Sequence, residues 1–451
     1  MLTIAQGNET LSSVSGILLA GGLLRRCRSL ERLDTLRRRE TQRGRVGNQT
    51  VVRTSALLSA LGLNDYSDVE AFHADPVFLE AAGGRLPSQE TFRQRIDQLG
   101  ECAEAFRLLD DANVELLQGL DYGRVQAGRI RLVPVDIDVS VMAEPCSFRK
   151  EGVGWTYKKE NGYAPIFAYL GTRGFALASE LRPGAQHSAK GAVEFAERRL
   201  RLTDRLGLKR GELLFRLDSG HDDSAFLAAL RDAGVHFLVK RNLRRESREE
   251  LIARVVGSGR MPGVAHGRLF LQTALEVPET RTRLGLEGVR HVAEHVIRCI
   301  GRDGQPLLIP EEELNCWWTT LPCNARTCVR LYHEHATSEQ CHAELKDDMG
   351  MERMPSGKMA SNALVLHCAM LAFNCLRRIG RLALEHGRRR PAAGDARRRA
   401  RGRMRARTVI DTFLRVAGHV VRHAGKGLLK LGRTFAAFPS FLWLHRQCCL
   451  Q

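Results

Sequence analysis

The sequence predicts a mixed α/β (α+β) fold with a helical region in front of it. Three observations predict this. From about residue 128 to 240, β-branched runs and amphipathic segments follow the order β-β-β-α-β-α-β. Residues 1 to 125 keep helical spacing instead. A hydrophobic content of 43% over 451 residues is enough for a sizeable core and excludes global disorder.

Residues 1–125 are expected to be a helical domain. Leu18–Arg45 holds Arg25, Arg26, Arg28, Arg32, Arg37, Arg38, Arg39, Arg43 and Arg45. Val51–Leu63 has helical apolar spacing, and Ser67-Asp68-Val69-Glu70 opens another helix with acids in its first turn. In Leu86–Gly100, Pro87-Ser88 supplies a turn and cap, while Thr91, Phe92, Ile96 and Leu99 share one side. A short helix, a turn and a capped helix bearing Arg93 and Arg95 fit a helix-turn-helix DNA reader. They fit a helical bundle with a solvated basic face equally well.

Residues 126–385 form the second region. Arg129–Val139, Tyr163–Leu170 and Phe175–Leu181 read as strands, the last two joined by a turn at Gly171–Gly174. Ala189–Leu206 reads as a helix, Glu212–Leu217 as a strand, Asp222–Ala233 as a helix and Val235–Val239 as a strand. About 241–320 is expected to be a β-rich insertion with strands at Arg268–Leu275, His291–Cys299 and Leu307–Thr320. Helices are expected over Cys323–Met349 and from Met359 to about Leu384. In 386–451, Arg388–Arg407 holds ten Arg in twenty residues, an arm suited to phosphate contacts, and Thr408–Val421 resumes helical spacing.

The charge narrows the class of partner. Lys and Arg number 69 against 51 Asp and Glu, a net +18, which points to a polyanion such as nucleic acid. The first residues lack a basic start followed by an apolar block, and no uninterrupted apolar run approaches a bilayer span. The expected location is therefore the cytoplasm, with no membrane partner. Twelve cysteines include no C-x-x-C, and buried reduced thiols are expected. Cys316, Cys323, Cys328, His333, His335, Cys341 and His342 are too irregularly spaced for a standard zinc site. There is no G-x-x-x-x-G-K-[ST], no strand-bounded G-x-G-x-x-G, no G-x-S-x-G and no H-E-x-x-H.

Three acidic segments carry the chemistry. Asp136 and Asp138, two apart in VPVDIDVS, share one face of an apolar strand. Carboxylates are costly on a packed face unless paired with Arg or bound to a cation. Asp218 ends the strand ELLFRLDSG, where open-sheet sites form and where Asp also caps helices. Two acid-tipped strands in one sheet suit a hard divalent cation, Mg²⁺ or Mn²⁺. In the helix LYHEHATSEQCHAELKDDMGMER, Tyr332, Glu339 and Lys346 recur every seven residues, and His335 lies beside them on the same stripe.

That stripe, Y-x₂-H-x₃-E-x₆-K, resembles the Y-x₂-R-x₃-E-x₆-K signature of bacterial insertion-sequence DDE transposases of the domain group 1 type. VDIDVS, RLDSGHD and the helix around Glu339 are similar to that family's three acidic segments, in order. ENGYAPIFAYLG and ELRPGAQHSAKGA are similar to its stretches between the first two acids. The likeness is clearest from 130 to 380. The long gap from Asp218 to Glu339 resembles members with a β-strand insertion before the glutamate.

The resemblance implies a ribonuclease H-like catalytic core and DNA transposition by two-metal phosphodiester chemistry. Its triad would be Asp138, Asp218 and Glu339, also the metal ligands, with Asp136 as the fallback for Asp138. Tyr332, His335 and Lys346 would hold DNA phosphates; His335 replaces the usual Arg and lacks its bidentate fork. The partners implied are double-stranded DNA, as terminal inverted repeats and target, and a second copy of the chain when ends are paired. End recognition would fall to the helical residues 1–125, and Trp317-Trp318 would either stack on an unpaired base or form a buried pair. A transposase-derived binding protein, or a metal-dependent nuclease without strand transfer, are the alternatives.

Overall fold

The computed structural model describes residues 3–4, 7–36, 46–145, 147, 149–243, 247–257, 263–265, 268–277, 287–300, 305–389, 403–423 and 426–450. Most of the arginine arm therefore lies outside the described residues.

A single mixed sheet organises the centre. Its strands are β1 (Ile130–Val139), β2 (Ile166–Leu170), β3 (Phe175–Glu180), β4 (Leu213–Leu217) and β5 (His236–Lys240), followed by β6 (Arg268–Val277), β7 (Arg290–Ile300) and β8 (Pro306–Thr319). They lie in the order β6-β7-β8-β5-β4-β1-β2-β3, with the short Gly263–Ala265 beyond β6. β2 runs antiparallel to both β1 and β3, whereas β4 is parallel to β1 and β5 to β4. The helices Ala192–Arg205 and Ser224–Asp232 make the crossovers. This is the ribonuclease H-like arrangement that the resemblance implied. β6, β7 and β8 extend the sheet antiparallel, so the expected β-rich insertion is a continuation of the central sheet past β5.

β1 shows why the centre folds this way. Val133, Val135, Ile137 and Val139 alternate onto one face and join Leu213, Phe215 and Leu217 in a core under the helix Ala192–Arg205. The opposite face carries Asp136 and Asp138. The β2–β3 turn needs Gly171, whose φ is +73° and whose Cβ position would lie 1.9 Å from the Tyr122 carbonyl oxygen. Gly171→Ala is expected to cost about 1–3 kcal/mol, since both left-handed backbone and contact are penalised. A urea titration followed by circular dichroism measures it.

The helices at the two ends of the chain share one core. Asn48–Ala60, Gln89–Gly100 and Ala103–Leu117 pack around the long helix Met359–Arg389. That core runs from Ile17 and Phe78 through Cys368 and Phe373 to Leu414 and Leu444. The change at residue 125 is thus a change of secondary-structure type, and the hydrophobic core crosses it. The long helix also covers an edge. β3 ends the sheet, and Asn374 accepts from Ala176 N–H (2.8 Å) and donates to Ala176 C=O (2.7 Å), closing open backbone groups.

Several local expectations are corrected. Helical spacing after Thr408 lasts only to Leu414; Gly418–His423 and Lys426–Leu431 form an antiparallel hairpin that pairs with Leu11–Ser12. Asn161–Tyr163 is not the start of β2 but belongs to a small separate sheet with Met142–Ala143 and Gly154–Trp155. Met359–Gly387 is long and apolar enough to cross a membrane by length and composition; Gly and His inside it hid this from a run-based reading. Most of it is buried among protein helices. The Gln89–Gly100 helix is capped by Ser88 as expected, but Arg95 is 1% exposed and donates to the Val46 carbonyl. A side chain so enclosed does not reach DNA. Arg93 is exposed and pairs with Glu90.

Candidate active site

Strand register puts the first two acids together. In the parallel pair β1–β4, Asp136 lies opposite Arg216 and Ile137 opposite Leu217. One residue beyond that last registered pair come Asp138 on β1 and Asp218, which follows β4 directly and caps the turn Ser219–His221. Both line an open cleft of about 690 Å³. Glu339, Tyr332, His335 and Lys346 line the same cleft, so the four-residue helical stripe faces the two acid-tipped strands.

The residue before the paired acids on the same face has a different task. Arg216 Nε and Nη2 donate to Asp136 Oδ1 and Oδ2 at 2.6 and 2.7 Å, and its Nη1 donates to the Leu331 carbonyl at 2.7 Å. Both side chains are almost completely buried. His335 Nδ1 lies 3.0 Å from Asp136 Oδ1. Burial alone would raise the Asp136 pKa, but the Arg216 charge and then His335 outweigh it, holding the carboxyl below its ordinary value. Both of its oxygens accept from Arg216, so the fallback at Asp136 does not suit a metal ligand.

Asp138 and Asp218 are arranged otherwise. His342 Nε2 is 3.1 Å from Asp138 Oδ2, and His342 Nδ1 is 3.2 Å from the Tyr169 hydroxyl. Burial raises the Tyr169 pKa well above 10, so its O–H is retained. The consistent arrangement has Tyr169 donating to Nδ1 and Nε2–H donating to Asp138. His221, fully buried, places Nδ1 2.7 Å from Asp218 Oδ1, and Gly220 N–H donates to the same oxygen. Burial opposes ionisation of Asp218, yet the His221 contact and the Gly220 bond hold its pKa below the ordinary value. Each aspartate keeps a second oxygen with no hydrogen bond among the described residues.

The third acid comes on a segment of changing helical type. Ala325–His333 is α, Glu334–Ala336 is 3-10, Thr337–Ala343 is α and Glu344–Asp348 is π. His335 and His342, seven apart, seat this segment on Asp136 and Asp138 of β1. Glu339 falls between them, exposed and without an ion-pair partner among the described residues. Behind it, buried Glu344 meets Arg377 at 3.0 Å and Arg403 at 3.1 Å, which ties the segment to the long helix and the end of the arginine arm.

The remaining residues shape the rim. The Tyr332 ring lies tilted against Trp317 (5.4 Å, 55°) and His335 (5.7 Å, 38°), and burial raises its pKa. Lys346 donates to the Val141 carbonyl; burial, then the neighbouring Lys158, lowers its pKa. Lys158, Lys240 and Tyr157 complete the cleft wall. Trp317 and Trp318 are 1% and 5% exposed, and Trp318 Nε1 donates to Asp222, so they are a buried pair and not a base-stacking surface. Sequence reasoning missed His342 and His221. The seven-residue interval from His335 to His342 was the available signal for the first.

Oxygen donors of this kind fit a hard divalent cation. Three carboxylates face one cleft, Asp218 is held ionised, and two aspartate oxygens are uncommitted. Among the described residues, no three His, Cys, Asp or Glu side chains converge into a ready-made metal cluster. The donor chemistry therefore fits, and the closed coordination shell is absent. Cys316, Cys323, Cys328 and Cys341 form no disulfide, and Cys323 and Cys328 Sγ lie in hydrogen-bond contact at 3.5 Å.

Comparison with known proteins agrees with this picture. The family model described as "Transposase DDE domain group 1" matches residues 2–257, more than half of the chain. The match includes Asp138 and Asp218 and ends before Glu339. No curated protein matches. Among solved structures, a piggyBac transposase synaptic complex with hairpin DNA is 12% identical with a TM-score of 0.42, over 88% of this chain and 79% of that one.

Proposed function

The chain belongs to the transposase DDE domain group 1 family, which makes it a DNA transposase, and from that premise we propose that Asp138, Asp218 and Glu339 are its catalytic triad. The proposed reaction is cleavage at the ends of a mobile element followed by joining of the freed 3′ ends to target DNA. One observation carries the reading: Asp138 and Asp218 follow the last registered pair of the parallel strands β1 and β4, and Glu339, which has no ion-pair partner among the described residues, lines the same cleft.

Asp138, Asp218 and Glu339 would hold Mg²⁺ or Mn²⁺, which supplies Lewis-acid stabilisation of charge on the scissile phosphate. His342 and His221 fix one oxygen of each aspartate and so aim the other into the cleft. Tyr332 and Lys346 would contact DNA phosphates from the wall opposite the sheet. His335, engaged by Asp136, would act first as a support for the helix and only secondarily on phosphate. End-binding by the helical residues 1–125, phosphate contacts by the arginine arm and dimerisation on paired ends complete the proposal.

The test is direct. The gene's own flanking DNA is placed on a supercoiled plasmid and incubated with the protein in Mg²⁺ or in EDTA, and the cut ends are mapped. Breaks at fixed boundaries in Mg²⁺, abolished by EDTA, are expected. Tight binding of those boundaries without any cutting would sink the catalytic assignment.

A further inference from the structure

Arg403 and Arg405 stand near the end of the arginine-rich stretch that charge alone assigns to DNA, yet both guanidinium groups have partners inside the protein. Arg403 Nη2 lies 3.1 Å from Glu344 and donates to Gln340 Oε1 at 2.6 Å, and its Nη1 donates to Cys341 Sγ at 3.2 Å. One planar group thus spans Gln340, Cys341 and Glu344, the turn that directly follows Glu339. Arg377, on the long helix, reaches the same Glu344 and Cys341. Arg405 Nε and Nη2 donate to Asp348 Oδ2 and Oδ1 at 2.7 and 2.8 Å, a fork that a lysine cannot make. The main chain adds to it. Ala406 N–H donates to Glu344 Oε2 at 2.8 Å, and Arg407 N–H to Asp348 Oδ2 at 3.1 Å.

The two carboxylates so held are the first and last residues of the π turn Glu344–Asp348. Met349 N–H closes that turn by donating to the Glu344 carbonyl at 3.1 Å, five residues back. A π turn is a rare, single-turn departure from the α-helix, found often at functional sites. Between its two tied ends stands Lys346, which lines the cleft and donates to the Val141 carbonyl, three residues after Asp138. Glu344 and Asp348 are buried, and buried carboxylates need a cationic partner. Any one nearby cation would meet that need for each. It does not account for one short segment, 57 residues beyond Asp348, that grips both ends of the turn and the two residues after Glu339.

Resting on the reading of the cleft as the DNA-cutting site, we propose that Arg403 and Arg405 are positioning residues of that site. Neither side chain lines the cleft. They fix where Glu339 and Lys346 stand relative to Asp138 and Asp218, and they make no phosphate contact of their own. Arg403 acts on the turn after Glu339, and Arg405 on the far end of the π turn that carries Lys346. The arginine-rich stretch is thereby divided by task at its carboxyl end.

The experiment compares Arg403→Gln, Arg405→Gln and Arg407→Gln in the full chain, with a labelled duplex of the gene's flanking DNA. Each variant removes one positive charge, but only the main chain of Arg407 joins the contacts above. At saturating protein in Mg²⁺, Arg403→Gln and Arg405→Gln are expected to slow single-turnover cleavage about ten- to hundred-fold. Their duplex affinity in EDTA should stay within about two-fold of wild type, with an unchanged salt slope. Arg407→Gln is expected to cleave at the wild-type rate. Arg405→Lys keeps the charge, loses the fork and should recover only part of the rate. Hydrogen exchange in EDTA, without DNA, is the second readout. In Arg405→Gln the peptide containing Met349 N–H should exchange about ten-fold faster while β1 and β2 stay as in wild type. An unchanged cleavage rate with weaker duplex binding and a lower salt slope would make Arg405 a phosphate contact and overturn the proposal. Faster exchange spread equally over β1 and β2 would reduce Arg405 to general stability and overturn it as well. A wild-type protein that never cuts plasmid DNA, with exchange rising only around Glu344–Met351 in Arg405→Gln, refutes the catalytic reading and leaves the grip on the π turn standing.

Discussion

Asp218→Asn is expected to lower DNA cleavage on the order of a thousand-fold or more while leaving DNA binding and the thermal transition close to wild type. The separation follows from what Asp218 does. One oxygen accepts from Gly220 N–H and meets His221, which is capping work that an amide oxygen can continue. The other is uncommitted among the described residues, and there the charge is needed. Removing charge without volume therefore strikes the proposed cation site and spares the turn. Asp138→Asn and Glu339→Gln should behave alike, since each would remove one carboxylate of the same three. Gel assays of cleavage, with end binding and melting measured in parallel, check this. Full activity in Glu339→Gln would break the triad, because Glu339 has no structural partner among the described residues that could account for it.

Arg216→Met is expected to cost about 3–5 kcal/mol of folding stability, the largest single loss in the central sheet. It leaves Asp136 ionised inside the protein with only His335 beside it and frees the Leu331 carbonyl. Joint replacement, Asp136→Leu with Arg216→Met, is expected to regain most of that loss, because two well-packed apolar groups need no compensating charge. Urea titrations of the two singles and the double measure the coupling. The pH dependence follows from the direction of the Asp136 shift. Its folded pKa lies below the ordinary carboxylate value, so its contribution is fully present above about 3.9 and is lost as pH falls through the folded pKa. In Asp136→Leu with Arg216→Met that acid-side loss should disappear from the stability curve. A single mutant as stable as wild type would mean that the pair does not hold β1 and β4 together.

The two acid-tipped strands were legible because each carries its own signature. β1 and β4 are short β-branched or leucine-rich runs that end in acid, and a run of this kind declares both its strand and its exception. Asp136 and Asp138 could not be separated from local sequence, because the deciding partner lies on another strand. In retrospect the two strands match: Asp136-x-Asp138 stands beside Arg216-x-Asp218, so a pair of opposite charges precedes a pair of like charges on one face. The three strands of the insertion were legible to within a few residues for the same reason.

What stayed hidden depended on distant parts of the chain. Arg95 reads as a basic helix residue, yet its partners belong to the chain at Val46 and Asn48. Trp317 and Trp318 look available beside an acidic site, but alternation in β8 sends them to opposite faces, into two different cores. The hairpin Gly418–His423 and Lys426–Leu431 is short, and its first strand is completed by Leu11–Ser12 at the other end of the sequence. No local window contains that contact.

The same pairing has a consequence for synthesis. Ser12 meets Gly418, and the helix Ile17–Arg25 packs on Phe438–Cys449, so each early segment waits for one made much later in the chain. The two are separated by roughly 400 residues, which a ribosome at about 5–20 residues per second takes on the order of 20–80 seconds to deliver. During that interval the amino-terminal helices keep apolar surface open to solvent, where chaperones and proteases find it. A copy of this chain cut before Gly418 lacks the partners of Leu11–Ser12 and of the helix Ile17–Arg25, and is expected to be less stable than the whole.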